Sequence, residues 1–221
     1  MAITLWTNSE KTAQKNMDFD RSLLKKAIDS PTDTHIRVYE WLTPGVTYPD
    51  RQILPPELAH IDHGHRPTGG GIVFHSPGDI VICIIIPKPK IVSPRLLHGI
   101  VSKVATLIQI AFQSCGLNVS QKTSDETENS ASQNLAFCKT YFSPSELYFN
   151  GNKMCGLTLK RYKDHILIQG VIHLQDAKGW FKDISPEFTQ YLHHAKLPIT
   201  SQEISEAIQK KLTSQARDLV N

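Results

Sequence analysis

The sequence predicts an α+β fold in which a mixed, largely antiparallel sheet is packed by helices. Residues 16–28 and 94–115 repeat apolar side chains every three or four positions, which is the period of an amphipathic helix. Residues 72–86 and 147–161 each carry two short apolar runs separated by a turn sequence, which predicts antiparallel hairpins. The apolar face of each helix must pack against another element, and the predicted sheet provides that surface.

Composition limits the classes of protein that this chain can belong to. Of its 221 residues 40% are hydrophobic and 20% are charged, which is typical of a globular protein, and we expect residues 1–221 to form a single domain. The net charge of +3 is small and dispersed, so we expect no nucleic-acid partner. The longest apolar run, residues 80–87, is far shorter than the roughly 20 residues of a membrane helix, so we expect no membrane partner.

The cysteines indicate a reducing compartment. The chain has four of them and they form no C-x-x-C pair: Cys83, Cys115, Cys138 and Cys155. Since free thiols persist where glutathione keeps them reduced, a cytoplasmic location is expected.

The first third of the chain predicts one helix, one strand and a long loop. The helix at 16–28 ends before Pro31, and an alternating strand at 35–41 runs into the turn Thr43-Pro44-Gly45. Residues 48–68 contain four prolines and few apolar residues, which predicts a long surface loop of the kind that often carries function.

The remaining elements follow the same reasoning. A hairpin is expected from strands 72–75 and 80–86 around the turn Ser76-Pro77-Gly78-Asp79, followed by the helix 94–115, which Gly116 ends. Residues 121–134 are nearly all polar and predict an exposed loop. The later elements are a second hairpin around Asn150-Gly151-Asn152, a strand at 166–174, and a helix at 201–219 capped by Ser201.

Three successive glycines, Gly69, Gly70 and Gly71, precede a predicted strand. Glycine is costly in ordered structure unless the backbone needs unusual angles or a ligand approaches it closely. The triplet is either a loose turn or a main-chain surface for a ligand. It matches neither the phosphate-binding P-loop nor the dinucleotide-binding glycine pattern.

The segment around these glycines resembles a known family. Arg66-Pro67-Thr68-Gly69-Gly70-Gly71-Ile72-Val73-Phe74-His75 is similar to the R-R-x-[ST]-G-G-G-x-V-x-H signature of lipoate-protein ligases and their octanoyltransferase relatives. In the same order along the chain, residues 16–20 resemble the family's N-M-A-x-D-E motif, residues 37–41 its R-x-Y-x-W motif, and residues 150–156 its N-G-K-K-I-x-G turn. The resemblance implies the catalytic-domain fold that biotin and lipoate ligases share.

Lys153 is the first candidate catalytic residue. It follows a tight Asn-Gly turn at the start of a strand, where an ammonium can neutralise a carboxylate, a phosphate oxygen or a developing oxyanion. A solvated turn lysine is the alternative. The resemblance implies that Lys153 contacts the acyl-adenylate in ligases, or lies beside the thioester carbonyl in transferases.

The candidate substrate-binding residues lie mostly in the glycine segment. Arg66 can pair with a phosphate or carboxylate through two hydrogen bonds, although His65 stands where the family usually has a second arginine. His75 matches a family histidine, and a structural histidine is the alternative. The glycines Gly69, Gly70, Gly71 and Gly156 complete the predicted binding set.

Cys138 could change the reaction class. It precedes Lys153 by fifteen residues, as the nucleophile of cysteine-dependent octanoyltransferases does, and Lys139 would favour its thiolate. A non-catalytic thiol is the alternative, and Gly71 resembles the ligases more than those transferases. Where the family has a His-Gly pair and the sequence G-S-A, this chain has Gln169-Gly170 and Gly156-Leu157-Thr158. Such departures also suit a relative that binds acyl groups or carriers without catalysis.

The resemblance implies attachment of lipoate, or a related medium-chain acyl group, to a lysine of a carrier protein. A ligase would use ATP and Mg²⁺ to form acyl-AMP, whereas a transferase would take an octanoyl group through Cys138. The implied carriers are the lipoyl domains of 2-oxoacid dehydrogenase complexes or the glycine-cleavage H protein. The accessory C-terminal domain of longer ligases is not expected here.

The histidines at 60, 63 and 65 lack the spacing of zinc motifs, so no protein-bound metal is expected.

Overall fold

Ten strands and four helices form the part of the chain that the computed structural model describes, residues 2–121, 137, 145–193 and 195–219. The strands are β1 Ile3–Trp6, β2 Thr34–Glu40, β3 Gly45–Pro49, β4 His63–Arg66, β5 Val73–His75, β6 Ile80–Pro87, β7 Ser120–Gln121, β8 Leu147–Phe149, β9 Asn152–Arg161 and β10 His165–Ile172. The helices are α1 Ala13–Asp29, α2 Pro94–Ser114, α3 Pro186–Thr189 and α4 Ser201–Ser214. Three 3₁₀ turns lie at Pro56–Leu58, Ala177–Gly179 and Ala216–Leu219.

The strands form two sheets. The larger sheet has the order β1-β2-β6-β10-β9-β8-β7, and each pair in it is antiparallel except β1 with β2. The smaller sheet has the order β4-β3-β5, with β3 parallel to β4 and antiparallel to β5. The prediction of an α+β fold with a mixed, largely antiparallel sheet is therefore confirmed.

Helices cover both faces of the larger sheet, and the sequence of β6 shows why. Its side chains alternate between the two faces: Ile82 and Ile84 belong to the apolar cluster under α2 and α4, whereas Cys83 and Ile85 pack with α1. A strand buried on both faces reads as a continuous apolar run rather than an alternating one. Both long predicted helices are confirmed, and α1 begins earlier because the hydroxyl of Thr12 accepts a hydrogen bond from the Lys15 amide.

Helix α2 has the length and apolar content of a membrane span. Its apolar side, however, packs inside the protein, where residues such as Val104, Ile108 and Phe112 are fully buried against the sheet. The core helix of a globular protein produces the same composition.

The first predicted hairpin is wrong in its pairing, although both of its strands exist. Strand β5 pairs with β3 in the smaller sheet, while β6 pairs with β2 and β10 in the larger one. The turn between them is a corner that connects the two sheets. Asp79 fixes this corner because its carboxylate accepts hydrogen bonds from the amides of Ser76 at 2.9 Å and Leu174 at 3.1 Å.

The predicted surface loop at 48–68 is also wrong in part, because it contains β4 and a 3₁₀ turn. Leu58 is fully buried, and Gly64 of β4 lies against α1 so closely that a Cβ there would be 2.7 Å from the Ala13 backbone. The composition of residues 48–68 is typical of a loop and does not indicate β4, which forms because it pairs with β3 and packs against α1. A smaller correction concerns α4, whose cap is Thr200 in a capping box with Glu203, not Ser201.

The second hairpin is confirmed as β8 and β9 around the Asn150-Gly151 turn, in which Asn150 has a φ of 48°. The strand after it is confirmed as β10. Of the predicted exposed loop at 121–134, only Gln121 lies within the described residues, and it belongs to β7.

Candidate active site

A cavity of about 650 Å³ lies between the two sheets, against α1 and α2. That volume is in the range of small-molecule sites. Apolar side chains form much of its wall: Met17, Val73, Val81, Val101, Leu157, Leu159 and Val171. Polar side chains from both sheets, from α2 and from the residues just before β8 also line it: Thr47, Arg66, His75, His98, Ser145, Glu146, Thr158 and Gln169. The glycine triplet and Gly156 also line it, so the structure brings most of the predicted binding residues together around one space.

Arg66 shapes the glycine loop. Its guanidinium donates to the carbonyl of Gly69 through Nε at 3.2 Å and Nη2 at 3.0 Å, and to the carbonyl of Gly71 through Nη2. Through Nη1 it also donates to the carbonyl of Thr47 at 3.0 Å and its hydroxyl at 3.1 Å. With the side chain buried, these bonds hold the loop against β3 and place the backbone of Gly70, whose φ is +88°, at the cavity wall.

A buried chain of polar groups ties the same loop to the main sheet. The hydroxyl of Thr68 donates to Gln169 Oε1 at 2.8 Å, and Gln169 Nε2 donates to Asp20 Oδ2 at 2.6 Å. Asp20 in turn accepts from Arg37 at 2.7 Å in a fully buried ion pair. Burial raises the pKa of Asp20, while the Arg37 charge opposes that rise. Because Gln169 both donates and accepts, its amide has one orientation, and it couples the loop to the core.

His75 is a buried, neutral side chain on the cavity wall. Its Nε2 shares a 2.8 Å hydrogen bond with the hydroxyl of Thr47, and its ring stacks on Trp41 at 4.1 Å between centroids. Burial lowers the pKa of His75 well below its usual 6.5, and the nearby charges of His173 and Arg66 lower it further. His75 therefore acts as a hydrogen-bonding group without charge at neutral pH.

Lys153 is not the exposed turn lysine that its position suggests. Its ammonium pairs with the carboxylate of Glu146, and the two side chains are only 7% and 3% exposed. Tyr148, which lies opposite Lys153 in the hairpin, also donates to Glu146, at 3.2 Å. Glu146 lines the large cavity, whereas Lys153 lines a small recess beside it that shares Val73 and Gly156 with the cavity wall. The ion pair thus spans the boundary between the two spaces.

This arrangement can hold a chain-like acid. The apolar walls suit an alkyl chain, and the glycine backbone with the Lys153–Glu146 pair supplies polar contacts for a head group. Sequence reasoning missed Glu146. The signal was available, because a carboxylate two residues before Tyr148 lies next to Lys153 once residues 148 and 153 are opposed in a hairpin.

Two further predictions concern Cys138 and the histidines at 60, 63 and 65. Cys138 lies outside the described residues; its neighbour Phe137 is buried and bridges to Ile72, next to the glycine loop. The histidines 60, 63 and 65 hold no metal arrangement, and no group of three or more His, Cys, Asp or Glu ligands occurs among the residues that the structure describes.

The fold and the cavity define a class of protein, an α+β domain with a small-molecule site between its two sheets. The lipoyl protein ligase A/B catalytic domain matches residues 12–216, and the chain belongs to that family. No curated protein sequence matches the chain significantly.

Solved structures agree with this assignment at the level of the fold. A putative lipoate protein ligase from T. acidophilum with bound lipoic acid aligns at TM-score 0.72 and 12% identity, over 98% of this chain and 86% of that one. A lipoate-protein ligase A bound with ATP aligns at TM-score 0.66 and 13% identity, over 98% and 85%. A bipartite archaeal ligase, described with its E2 lipoyl domain from Thermoplasma acidophilum, aligns at TM-score 0.62 and 13% identity, over 98% and 83%.

Proposed function

We propose that this protein attaches lipoate, or a related medium-chain acyl group, to a lysine of a lipoyl carrier domain by way of acyl-AMP. One observation carries the proposal: apolar side chains, the glycine backbone and Glu146 line one cavity, and Lys153, the partner of Glu146, lines the recess beside it. Membership of the lipoyl ligase family supports it, as do relatives of the same fold with bound lipoic acid or ATP.

In the first step the acyl carboxylate attacks the α-phosphorus of ATP. A new oxygen–phosphorus bond forms, and the bond to pyrophosphate breaks. The apolar wall positions the chain, the Gly70 region lets the backbone approach the head group, and Arg66 holds that loop in shape. Lys153 offsets negative charge at the reacting carboxylate after exchanging its contact with Glu146 for one with the substrate.

In the second step the amine of the carrier lysine attacks the acyl carbonyl. A carbon–nitrogen bond forms, the carbon–oxygen bond to AMP breaks, and the attacking nitrogen loses a proton. His75 contributes a neutral hydrogen-bonding group at the wall, and its buried Nδ1 has no hydrogen-bond partner within the described part of the chain. A polar atom of the acyl-adenylate would satisfy it.

ATP is a substrate in this scheme, and Mg²⁺ would accompany its phosphates. Mg²⁺ keeps most of its water ligands and takes phosphate oxygens rather than an all-protein cage. The proposed carriers are lipoyl domains of 2-oxoacid dehydrogenase complexes or the glycine-cleavage H protein, supported by the archaeal relative described with its E2 lipoyl domain.

The second candidate is a thioester-dependent octanoyltransferase acting through Cys138. The stretch after Cys138 and the adjacent Lys139 favour it. Loss of catalysis with retained acyl or carrier binding is a third outcome, suggested by Gln169 in place of the family histidine.

One set of reactions separates the three. Purified protein is incubated with an apo lipoyl domain and either lipoate with Mg-ATP or octanoyl thioester, and the domain is examined by intact mass spectrometry. The ligase proposal expects modification with ATP, stoichiometric pyrophosphate release, and unchanged activity in the Cys138→Ser variant. Transfer from the thioester alone, with an acyl adduct on the enzyme that Cys138→Ser removes, would establish the transferase. Binding without modification in either mixture would establish the non-catalytic relative.

A further inference from the structure

A concentrated basic surface lies at one end of the larger sheet. Its six cationic side chains come from two segments, 87–95 and 160–165, and are Lys88, Lys90, Arg95, Lys160, Arg161 and Lys163. We call this set the basic patch. These two segments contain a single carboxylate, that of Asp164. They therefore carry a net charge of +5, six cations less one carboxylate, while the whole chain carries only +3, so the remainder of the protein is net negative.

Strand pairing brings the two segments together. His165 is opposite Pro87, and the amide of Lys88 donates to the carbonyl of Asp164 at 2.9 Å. Arg161 and Ile166 are opposite one another at the start of the β9–β10 pairing, so Arg161 and Lys163 lie beside the end of β6. The loop after β6 then continues to Arg95, which lines a shallow groove together with Pro89.

Within the described residues, no carboxylate pairs with the charges of the basic patch. Lys90, Arg161 and Lys163 are exposed. Like charges held together repel one another, so an uncompensated cluster favours an acidic partner. Ile91, next to Lys90, is 83% exposed and adds an apolar contact of the kind found in interfaces.

The basic patch adjoins the cavity. Leu159 of β9 lines the cavity wall, and Arg161 lies two residues further along the same face of that strand, roughly 7 Å away, whereas Lys160 points to the opposite face. From the other side, helix α2 begins beside Arg95 and contributes His98 and Val101 to the cavity. A partner resting on the basic patch therefore lies beside the Leu159 end of the cavity, and it must span the roughly 26 Å of β9 back to Lys153 to present its lysine there.

We propose that the basic patch is the docking surface for the carrier protein, and that it selects a carrier with an acidic face beside the acceptor lysine. This inference rests on the proposed acyl-transfer function and adds to it the surface and charge of the partner. Opposite charges accelerate encounter and set orientation more than they change the chemistry. The contribution is therefore expected in the apparent affinity for the carrier and not in acyl activation.

The test uses the double variant Lys90→Glu/Lys163→Glu, which takes one exposed cation from each segment. Its control is Lys178→Glu/Lys182→Glu, which changes the net charge equally at exposed lysines outside the basic patch. The probe is the apo lipoyl domain of a 2-oxoacid dehydrogenase complex. We expect KM for this domain to rise at least about tenfold in the basic-patch variant at low salt, with kcat unchanged and with pyrophosphate release from lipoate and ATP unchanged. We also expect added salt to raise KM of the wild type and of the control, but to have little effect on the variant.

Several results would overturn the docking proposal. Equal KM values in the two double variants would do so, as would salt-independent KM in the wild type. Loss of binding to anionic vesicles or RNA in the basic-patch variant, with KM for the lipoyl domain unchanged, would assign the patch to a different partner. If the wild type neither releases pyrophosphate nor modifies the domain, the proposed function fails instead. Calorimetric titration of the apo domain into wild type and variant then still tests docking, because that measurement needs no chemistry.

Discussion

The glycine loop and the Lys153 hairpin face the same cavity but are held in different ways. In the loop, Arg66 donates to three backbone carbonyls, those of Thr47, Gly69 and Gly71. Lys153, by contrast, is held by charge pairing with Glu146, a side chain that itself lines the cavity. In the first arrangement one side chain holds three main-chain carbonyls together, whereas the second pairs two side chains at the boundary between the cavity and the recess beside it.

Under the proposed function, the glycine loop serves binding and the Lys153–Glu146 pair serves chemistry. A surface that accepts a ligand against its backbone benefits from being rigid before the ligand arrives, because ordering it later would weaken binding. A cation that must act on a substrate anion needs a contact that can be exchanged, and a carboxylate partner keeps it buried and oriented until then. The predictions below test each half of this comparison, beginning with the largest effect.

Lys153→Ala is expected to reduce lipoyl transfer by at least about a thousandfold, because the ammonium that offsets substrate charge is lost. It also leaves the Glu146 carboxylate buried without its partner, which costs about 3–5 kcal/mol of stability. Transfer is measured by mass spectrometry of the carrier and stability by urea unfolding. The double variant Lys153→Ala/Glu146→Gln should recover stability but not activity. Substantial activity in either alanine variant would remove Lys153 from the mechanism.

Gly70→Ala is expected to weaken lipoate binding by about tenfold and to cost about 1 kcal/mol of stability, because its φ of +88° disfavours any side chain. The added Cβ would also lie 3.3 Å from Arg66 Nη2. Gly69→Ala is the matched control, since its Cβ would meet only the Thr158 hydroxyl, at 3.9 Å. Calorimetric titration with lipoate measures both. Equal affinities in the two variants would contradict a preformed loop.

Gln169→Leu is expected to cost about 1–3 kcal/mol and to lower lipoate affinity severalfold. The change leaves the Thr68 hydroxyl and one Asp20 oxygen without the hydrogen bonds that Gln169 supplies. Gln169→Glu is the informative companion, because it keeps the size and the acceptor for Thr68 but puts a carboxyl group against Asp20. An unchanged melting temperature in both variants would show that the loop does not depend on this link.

Acidification should destabilise the glycine-loop region through His75. Its folded pKa lies well below 6.5, so the unfolded state binds the proton first as pH falls. The stability that His75 contributes is therefore present above pH 6.5 and decreases as pH drops below that value toward the folded pKa. Urea unfolding between pH 7.5 and pH 5, roughly the range of histidine titration, measures it against His75→Gln. A variant with the same pH dependence as the wild type would assign the loss of stability to other groups.

Local patterns in the sequence were enough to predict the elements whose stability is largely local. The periodicity of α1 and α2 places their apolar sides, and the Asn150-Gly151 turn defines the β8–β9 hairpin. The order of motifs along the chain also indicated the family and the glycine loop. The helix periods and the turn sequence each depend on residues within one helix or one turn, so neighbours in sequence determine them.

Tertiary structure decided the pairing of β5, the strand hidden in the proline-rich segment, and the burial of Lys153. Strand β5 leaves β6 because the Asp79 corner directs the two strands into different sheets. Strand β4 exists because β3 and α1 supply its partners, which its own composition does not reveal. Lys153 becomes buried when folding brings Glu146 to it. Gln169 links the glycine loop to the core because its amide hydrogen-bonds to Thr68, 101 residues away, and to Asp20, 149 residues away. Hydrogen bonds between residues as far apart as Gln169 and its two partners have no period in the sequence, so only the packed chain determines them.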